Sequence, residues 1–296
     1  MSRFQANLLL LLAAAMWGGG NVAQKTILED IDALSAAGLR SLIAGLLVAP
    51  LLLFVEEGER GQKGWWRSLF RVSALFALAL VVQQIAYLDS SVTNASFLVN
   101  TDVVITPLFA WLLMSARPLP STYLAVGMTF AGLCLMSDGG VAGIGKGDFT
   151  ALLSAVIYAL WLVELERHMR QFGRPIATSV VQFLGTAVVA LPLGALNGGV
   201  TLPGLYGAAP ELVVLGVFST ALGFGLITLA QRFTTATHAA IIVGAECIFG
   251  ALAAFLLLGE RPSTAALAGG AMIAAAIVVV ALSGRSTEPA VVPAQS

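Results

Sequence analysis

Two acidic residues lie deep inside long apolar stretches of this chain of 296 residues. They are Asp102 and Glu246, and they coincide when the sequence is shifted by 144 positions. A carboxylate in hydrocarbon is costly, so an acid at such depth needs a partner or a function. Each acid could carry a proton, bind the ammonium group of a ligand, or hold neighbouring helices together by hydrogen bonds. The sequence leaves these three roles open.

Aromatic and polar side chains at similar depth could form the wall of a ligand cavity. Trp17 and Asn21 share a helix face, so one could stack on an apolar ligand while the other bonds its polar end. The glycines at 18–20 permit close helix contact, bending or a gap for a ligand. Tyr158 and Trp161 would enclose a flat molecule together with Trp17, or all three could be ordinary helix contacts. The candidate substrate-binding residues are Trp17, Asn21, Gln84, Tyr87, Asn94, Thr101, Asp102, Tyr158, Trp161 and Glu246.

The fourth apolar segment carries four polar residues that cannot all face one cavity if the segment is a continuous helix. Asn94 and Thr101 lie a heptad apart on one face, whereas Asn100 and Asp102 point elsewhere. Each needs a partner inside the protein, because lipid offers none. Arg40, inside the second segment, could neutralise one of the two acids.

The sequence predicts no metal site, no cofactor and no nucleic-acid partner. His168 and His238 are far apart, and neither has a cysteine nearby. Residues 140–146 (GVAGIGK) fit half of a phosphate-binding loop, but Gly147 stands where Ser or Thr should hold magnesium. The net charge of −1 argues against nucleic acid, which needs a basic patch.

The composition is that of a membrane protein that crosses the bilayer many times. Hydrophobic residues make up 58% of the chain and charged residues only 10%, against about 25% charged residues in soluble domains. A transmembrane helix needs roughly 20 mostly apolar residues. Ten segments meet this requirement: 5–25, 33–55, 69–88, 93–114, 120–138, 148–169, 176–197, 209–231, 236–258 and 263–283.

The positive charges predict the orientation in the membrane. If the N-terminus is cytoplasmic, three cations lie outside and Arg40 lies within a segment. The remaining cations then lie on the cytoplasmic side, which is the side that Lys and Arg favour. We therefore expect both termini in the cytoplasm. The cytoplasmic cations are Arg3, Arg60, Lys63, Arg67, Arg71, Arg117, Arg167, Arg170, Arg174, Arg232 and Arg285.

The two halves of the chain resemble each other. Residues 93–118 align with 237–262, and the prolines Pro50 and Pro192 correspond at a similar offset. Five helices per half is an odd number, so the halves must be inverted in the membrane. We predict an all-α integral membrane protein with ten transmembrane helices in two inverted five-helix repeats. The predicted boundaries are 1–143, 144–283 and a disordered cytoplasmic tail, 284–296.

The motif LGERP at 258–262 and the pair Trp17-Gly18 add a family resemblance. With ten helices in two halves, the chain resembles the drug/metabolite transporter superfamily over about residues 5–283, and most closely its EamA branch. Within that branch it looks like a bacterial aromatic amino acid exporter, and this resemblance implies a location in the bacterial inner membrane. The resemblance implies a central cavity lined by helices 1, 3, 4, 6, 8 and 9. Glu246 is followed by Cys247 where the family usually has proline.

These observations favour a transporter, not an enzyme. It would export small amphipathic metabolites, above all aromatic or hydrophobic amino acids, by alternating access between the two repeats. One alternative is a membrane enzyme that acts on a lipid-linked substrate with the polar segment 164–174. Another is a transporter of the same fold for a different metabolite. The partners are then a small molecule and the lipid bilayer, and the sequence allows a monomer.

Overall fold

A computed structural model describes residues 1–54, 63–115, 117–136, 145–258 and 263–283. Within these ranges nine helical segments are long and apolar enough to cross a membrane. A tenth apolar helix, Pro120–Met136, is shorter. The predicted all-α membrane fold with ten transmembrane helices is therefore confirmed. The tail 284–296 and the predicted repeat boundary at 143/144 lie outside the described residues.

The first half begins with a well-capped helix, because the Ser2 hydroxyl accepts from Gln5 N and the Gln5 side chain accepts from Ser2 N. Asp32 caps the second helix with two hydrogen bonds from its first turn. The helices of this half are α1 (Arg3–Thr26), α2 (Ala33–Val48), α3 (Trp65–Asp89), α4 (Val92–Val99), α5 (Asp102–Met114) and α6 (Pro120–Met136).

The second half differs from the first mainly in its eighth crossing, which is not a uniform α-helix. The middle of that crossing is the π-helical segment Val214–Phe224, where the backbone winds more widely. The helices of this half are α7 (Lys146–Phe172), α8 (Pro175–Leu196), α9 (Leu202–Gly207), α10 (Ala209–Val213), α11 (Gly225–Ala230), α12 (Ala236–Val243), α13 (Glu246–Leu258) and α14 (Thr264–Ser283).

The fourth and ninth crossings are each broken in two, where the sequence predicted continuous helices. Every bound of α12 and α13 lies 144 positions after the matching bound of α4 and α5. The hydrogen bonds of the two breaks also correspond, since Thr101 N donates to Leu98 O (3.2 Å) and Ala245 N to Ile242 O (3.1 Å). Tight i→i−3 turns thus replace α-helical bonds at the same place in both halves.

The contacts between helices repeat with the two halves exchanged. α3 packs along α7, and α1 packs in the corresponding way along the π-helical segment and α11. α4 and α5 lie against α7, as α12 and α13 lie against α1. α2 pairs with α8, and α6 with α14. This reciprocity is the pattern that an inverted repeat requires, and it surrounds a central space with the broken helices.

Candidate functional site

A central cavity lies at the level of the two helix breaks. It offers about 40 Å³ of space to water, which is room for a few water molecules. Its walls come from the six crossings that the family resemblance implied, and also from α2. The lining residues are Trp17, Asn21, Gln24, Arg40, Gln83, Val99, Asn100, Asp102, Tyr158, Trp161, Leu162, Ser219, Phe224, Ile227, Val243 and Glu246.

Both acids begin a helix at the cavity. Asp102 is the first residue of α5, and Glu246 is the first residue of α13. The free N–H groups of a helix start carry partial positive charge, which stabilises a carboxylate placed there. Glu246 is 7% exposed, and its Oε1 accepts a hydrogen bond of 2.5 Å from Asn21 Nδ2. The repeated broken helix therefore brings an acid from each half to one cavity.

A chain of hydrogen bonds connects Glu246 to a buried arginine. Arg40 Nη1 donates to Gln24 Oε1 (3.1 Å), and Gln24 Nε2 donates to Asn21 Oδ1 (3.0 Å). Asn21 then donates to Glu246, so every bond in the chain points from the cation toward the acid. Asn21 and Gln24 lie one helical turn apart on α1 and face the cavity together. This arrangement orients both amide groups and places the two charges at opposite ends of one polar wall.

The guanidinium of Arg40 has three neutral partners. Besides Gln24, it donates from Nε to Thr220 Oγ1 (2.8 Å) and from Nη2 to Ser219 Oγ (2.7 Å). The side chain is 1% exposed and lies in the middle of α2. Among the residues that the structure describes, no carboxylate lies within 4.0 Å of this guanidinium. Arg40 is thus linked to Glu246 through two amides and does not pair with either cavity acid.

The π-helical segment holds Trp17 and brings Ser219 to the cavity. Its wider turn is visible at Thr220, whose hydroxyl donates to Leu215 O five residues earlier (2.7 Å). The Ser219 carbonyl accepts from Trp17 Nε1 (2.8 Å) and fixes the indole against this segment. A side chain at Gly223 would begin 2.5 Å from the same nitrogen, so glycine makes room for the indole. π-Helical turns often occur at functional sites.

An aromatic cluster forms the apolar wall of the cavity around Phe224. The ring centroid of Phe224 lies 4.5 Å from that of Trp17, 6.0 Å from that of Tyr158 and 5.7 Å from that of Trp161. The Tyr158 hydroxyl donates to Gln83 Oε1 (2.9 Å), which holds the ring in place. Tyr158 and Trp161 also contact each other directly, with ring centroids 5.9 Å apart, so Phe224 links this pair to Trp17.

Gly18 allows α1 to approach α13 at the second break. A Cβ atom at this position would lie 2.5 Å from Glu246 O and 2.7 Å from Gly250 N, both of which are backbone atoms. The close approach brings Asn21, one turn further along α1, beside the Glu246 carboxyl. Gly19, in contrast, has open space around it. Of the three roles that the sequence allowed for the glycines, close helix contact is the one that Gly18 has.

Six of the ten predicted site residues line the cavity: Trp17, Asn21, Asp102, Tyr158, Trp161 and Glu246. Gln84 and Tyr87 lie behind the polar wall, where Gln84 Nε2 donates to Gln24 O (2.8 Å) and Tyr87 Oη donates to Asn21 Oδ1 (3.3 Å). Asn94 and Thr101 do not line the cavity. The Thr101 hydroxyl donates to Leu98 O (2.6 Å), and Asn94 lies in the first turn of α4.

Six lining residues outside the ten candidates carry polar or aromatic groups: Gln24, Arg40, Gln83, Asn100, Ser219 and Phe224. Gln24 continues the helical spacing of Trp17 and Asn21, so the period of 3.6 could have identified it. Asn100 was assigned to another face than Asn94 and Thr101, and it lines the cavity from the end of α4. Ser219 and Phe224 left no signal in an apolar segment.

Two charged side chains, near the C-terminal ends of α1 and α7, bind the ends of neighbouring helices. At the end where α1 finishes, Lys25 Nζ donates to Tyr87 O (2.5 Å) and Ser90 O (3.2 Å) and so caps α3. On α7, Glu166 Oε2 accepts from Ala236 N (2.7 Å), the first residue of α12. Each charge suits the helix end that it meets, a cation at a C-terminus and an anion at an N-terminus.

The polar segment 164–174 serves helix packing. Glu164 lies 2.7 Å from Arg167 and 3.6 Å from Arg71, so its charge is paired. His168 is fully buried between Ser68 Oγ and Thr178 Oγ1. These polar groups bond one another and neighbouring helices, so the geometry of this segment does not favour the membrane-enzyme alternative.

Comparisons with known proteins agree with this architecture. A sequence model described as the EamA-like transporter family matches residues 4–138 and again 145–282. An uncharacterized transporter of Archaeoglobus fulgidus is 23% identical over 95% of this chain and 87% of its own length. Human solute carrier family 35 member G1 is 24% identical over 92% of this chain and 77% of its own length. A crystal structure with 18% identity superposes with a TM-score of 0.78 over 97% of this chain and all of that one, so the two folds are alike.

Proposed function

Because the chain belongs to the EamA-like transporter family and is a multi-pass membrane transporter, we propose that it exports small amphipathic metabolites. Aromatic and other hydrophobic amino acids are the proposed substrates, and alternating access is the proposed mechanism. One observation carries the proposal: a cavity at two symmetric helix breaks is lined both by aromatic rings and by two carboxyl groups. Discontinuous helices that meet near the middle of the membrane are the usual place of transporter binding sites.

The two walls of the cavity suit the two parts of an amino acid. The rings of Trp17, Tyr158 and Phe224 would stack on the side chain of the substrate. The carboxyl groups of Glu246 and Asp102 would attract its ammonium group, and Glu246 is better placed because Asn21 already orients it. Of the three roles open to Glu246, substrate binding fits this position best. A chain of acids that leads to a membrane surface, which proton coupling would favour, does not occur in the sequence.

We propose that the helix-end contacts of Lys25 and Glu166 close the cavity on its two sides, and that alternating access opens one of these closures at a time. The substrate needs more space than the closed cavity offers, so helices must separate. Releasing Lys25 from the end of α3 would open one side, and releasing Glu166 from α12 would open the other. The exchanged helix contacts support two inverted repeats, with the proposed boundaries 1–143 and 144–283.

The direction and orientation are also proposals. The distribution of Lys and Arg supports cytoplasmic termini, with the Lys25 closure on the outer side of the bacterial inner membrane. Export rests on the resemblance to amino acid exporters. A monomer contains the whole cavity, so one chain would suffice for transport.

Counterflow into proteoliposomes of the purified protein tests the proposal. Vesicles loaded with unlabelled phenylalanine should accumulate labelled phenylalanine, and tryptophan and leucine should compete. Empty vesicles and vesicles loaded with a sugar provide the controls. Exchange of a different class of metabolite, with none of the amino acids, would contradict the proposed substrate and favour the alternative transporter of the same fold.

A further inference from the structure

Arg40 is a buried cation without a carboxylate partner among the described residues. Its guanidinium lies at the cavity, is 1% exposed, and donates to neutral oxygen atoms of Gln24, Ser219 and Thr220. Removing a charge from water is costly unless an opposite charge and hydrogen bonds compensate for it. The amide chain to Glu246 offers partial compensation at a distance. The site therefore provides one half of an ion pair, the cation with its surrounding polar groups, at the wall of the cavity.

The guanidinium also has unused hydrogen-bonding capacity. An arginine side chain has five N–H donors, and three of them take part in the bonds to Gln24, Ser219 and Thr220. The last two partners belong to the π-helical segment. The Thr220 hydroxyl also donates to the Leu215 carbonyl. If a ligand oxygen took the place of Thr220 as the partner of the guanidinium, the hydroxyl would keep its hydrogen bond to Leu215.

We propose that Arg40 binds the carboxylate group of the transported molecule, an inference that rests on the transport function proposed above. A planar carboxylate matches the guanidinium in shape and accepts two parallel hydrogen bonds. A phosphate group with two negative charges fits less well, because the cavity lining includes one cation and two acids. Ser219 connects Arg40 to the apolar wall, because its hydroxyl accepts from Arg40 and its carbonyl accepts from Trp17. The Trp17 ring in turn packs on Phe224. A molecule whose carboxylate binds Arg40 would therefore place its aromatic side chain at this wall.

The test measures binding of the carboxylate and of the ammonium group separately, with two probes that contain the same phenyl ring. Phenylacetate carries only the carboxylate, and phenethylamine carries only the amine. Binding to the purified protein is measured as the rise in melting temperature with probe concentration, for the wild type, Arg40→Gln and Arg40→Lys. Arg71→Gln is the matched control, because it removes a cation outside the cavity that is half exposed.

We expect Arg40→Gln to weaken phenylacetate binding by at least about tenfold, the loss typical of a hydrogen bond to a charged group, and to leave phenethylamine binding within about twofold. Arg40→Lys keeps the charge but not the planar fork, so it should weaken phenylacetate binding less. That variant also serves if Arg40→Gln does not fold. Equal loss of both probes would assign Arg40 a purely structural role, and unchanged phenylacetate binding would also overturn the inference.

The same variants keep this inference separate from the proposed function. If the wild type binds phenylacetate through Arg40 but does not exchange labelled phenylalanine, the carboxylate site stands and the proposed amino acid transport fails. If phenylalanine exchange survives in Arg40→Gln with unchanged apparent affinity, the transport function stands and the role of Arg40 is wrong.

Discussion

Replacing Glu246 by glutamine removes the negative charge at one end of the polar wall and keeps an oxygen that can accept from Asn21 Nδ2. A hydrogen bond to a charged group contributes about 1.5–3 kcal/mol, which corresponds to roughly 10–150-fold in affinity. We therefore expect Glu246→Gln to weaken binding of phenylalanine and phenethylamine by about this factor. Phenylacetate has no ammonium group, so its affinity should change by less than about threefold.

The companion variant Glu246→Ala measures the structural part of the role. It removes the acceptor of the 2.5 Å bond and leaves the buried amide of Asn21 with an unsatisfied donor. An unsatisfied buried group costs about 1–3 kcal/mol, and for a chain of this size each kcal/mol lowers the melting temperature by roughly 2–4 °C. We expect a decrease of several degrees in detergent, against less than about 2 °C for Glu246→Gln.

The assays are probe binding by thermal shift and counterflow of labelled phenylalanine, with Glu211→Gln as the control. Glu211 lies outside the cavity and accepts a hydrogen bond from Thr26, which glutamine can also accept. If Glu246→Gln keeps full affinity for phenethylamine, Glu246 does not bind the ammonium group. If exchange survives while transport driven by a pH gradient collapses, the acid couples protons. Normal stability and activity in both Glu246 variants would refute ammonium binding, proton coupling and helix support alike.

Three further predictions concern the aromatic wall, the helix contact and the charge distribution. Trp17→Ala should lower phenylalanine counterflow several-fold in a protein that still folds, and unchanged flux in both Trp17→Ala and Trp161→Ala would leave these rings a packing role only. Gly18→Val should lower the melting temperature by several degrees, because its side chain meets the backbone of α13; an unchanged value would contradict that contact. A reporter fused to Ser296 should be active in the cytoplasm, and a cysteine introduced at Gly145 should react from outside; the opposite results would reverse the orientation.

The internal repeat with an offset of 144 positions, which was found in the sequence, also relates the local structure of the fourth and ninth crossings. It placed Asp102 and Glu246 at equivalent positions, and the helix bounds and turn hydrogen bonds around them repeat at the same distance. The breaks fall at Asn100-Thr101 and at Gly244-Ala245. Asn, Thr and Gly are weak helix formers, but single residues of these types also occur inside continuous helices, so they did not predict the breaks. In the ninth crossing no proline follows Glu246, and the break still occurs, just before the acid.

The errors in choosing lining residues have a common physical cause. Asn94 and Thr101 were grouped by the period of a continuous helix, but tight turns at the break change the rotation of the residues that follow. Asn100, which ends α4, and Asp102, which begins α5, therefore both line the cavity although a continuous helix would point them apart. The π-helical turn shifts the register in the same way, so a period of 3.6 could not place Phe224.

Arg40 shows what single residue types can and cannot reveal. Its depth in the second segment indicated a role, and an acid was the natural partner to expect. Its actual partners come from α1 and the π-helical segment, up to 180 positions away in sequence. Such long-range neighbours depend on helix packing, which the sequence of one segment does not encode.

Photolabelling with a photoreactive phenylalanine tests the central claim most directly, because it reports where an aromatic amino acid binds. Purified protein in proteoliposomes is irradiated with the azide-bearing amino acid, and the modified peptides are identified by mass spectrometry. We expect labelling at Trp17, Tyr158 or Phe224, with loss of the label when phenylalanine is added or Glu246 is replaced by glutamine. Labelling confined to lipid-facing helix surfaces, and insensitive to phenylalanine, would contradict a substrate site in this cavity.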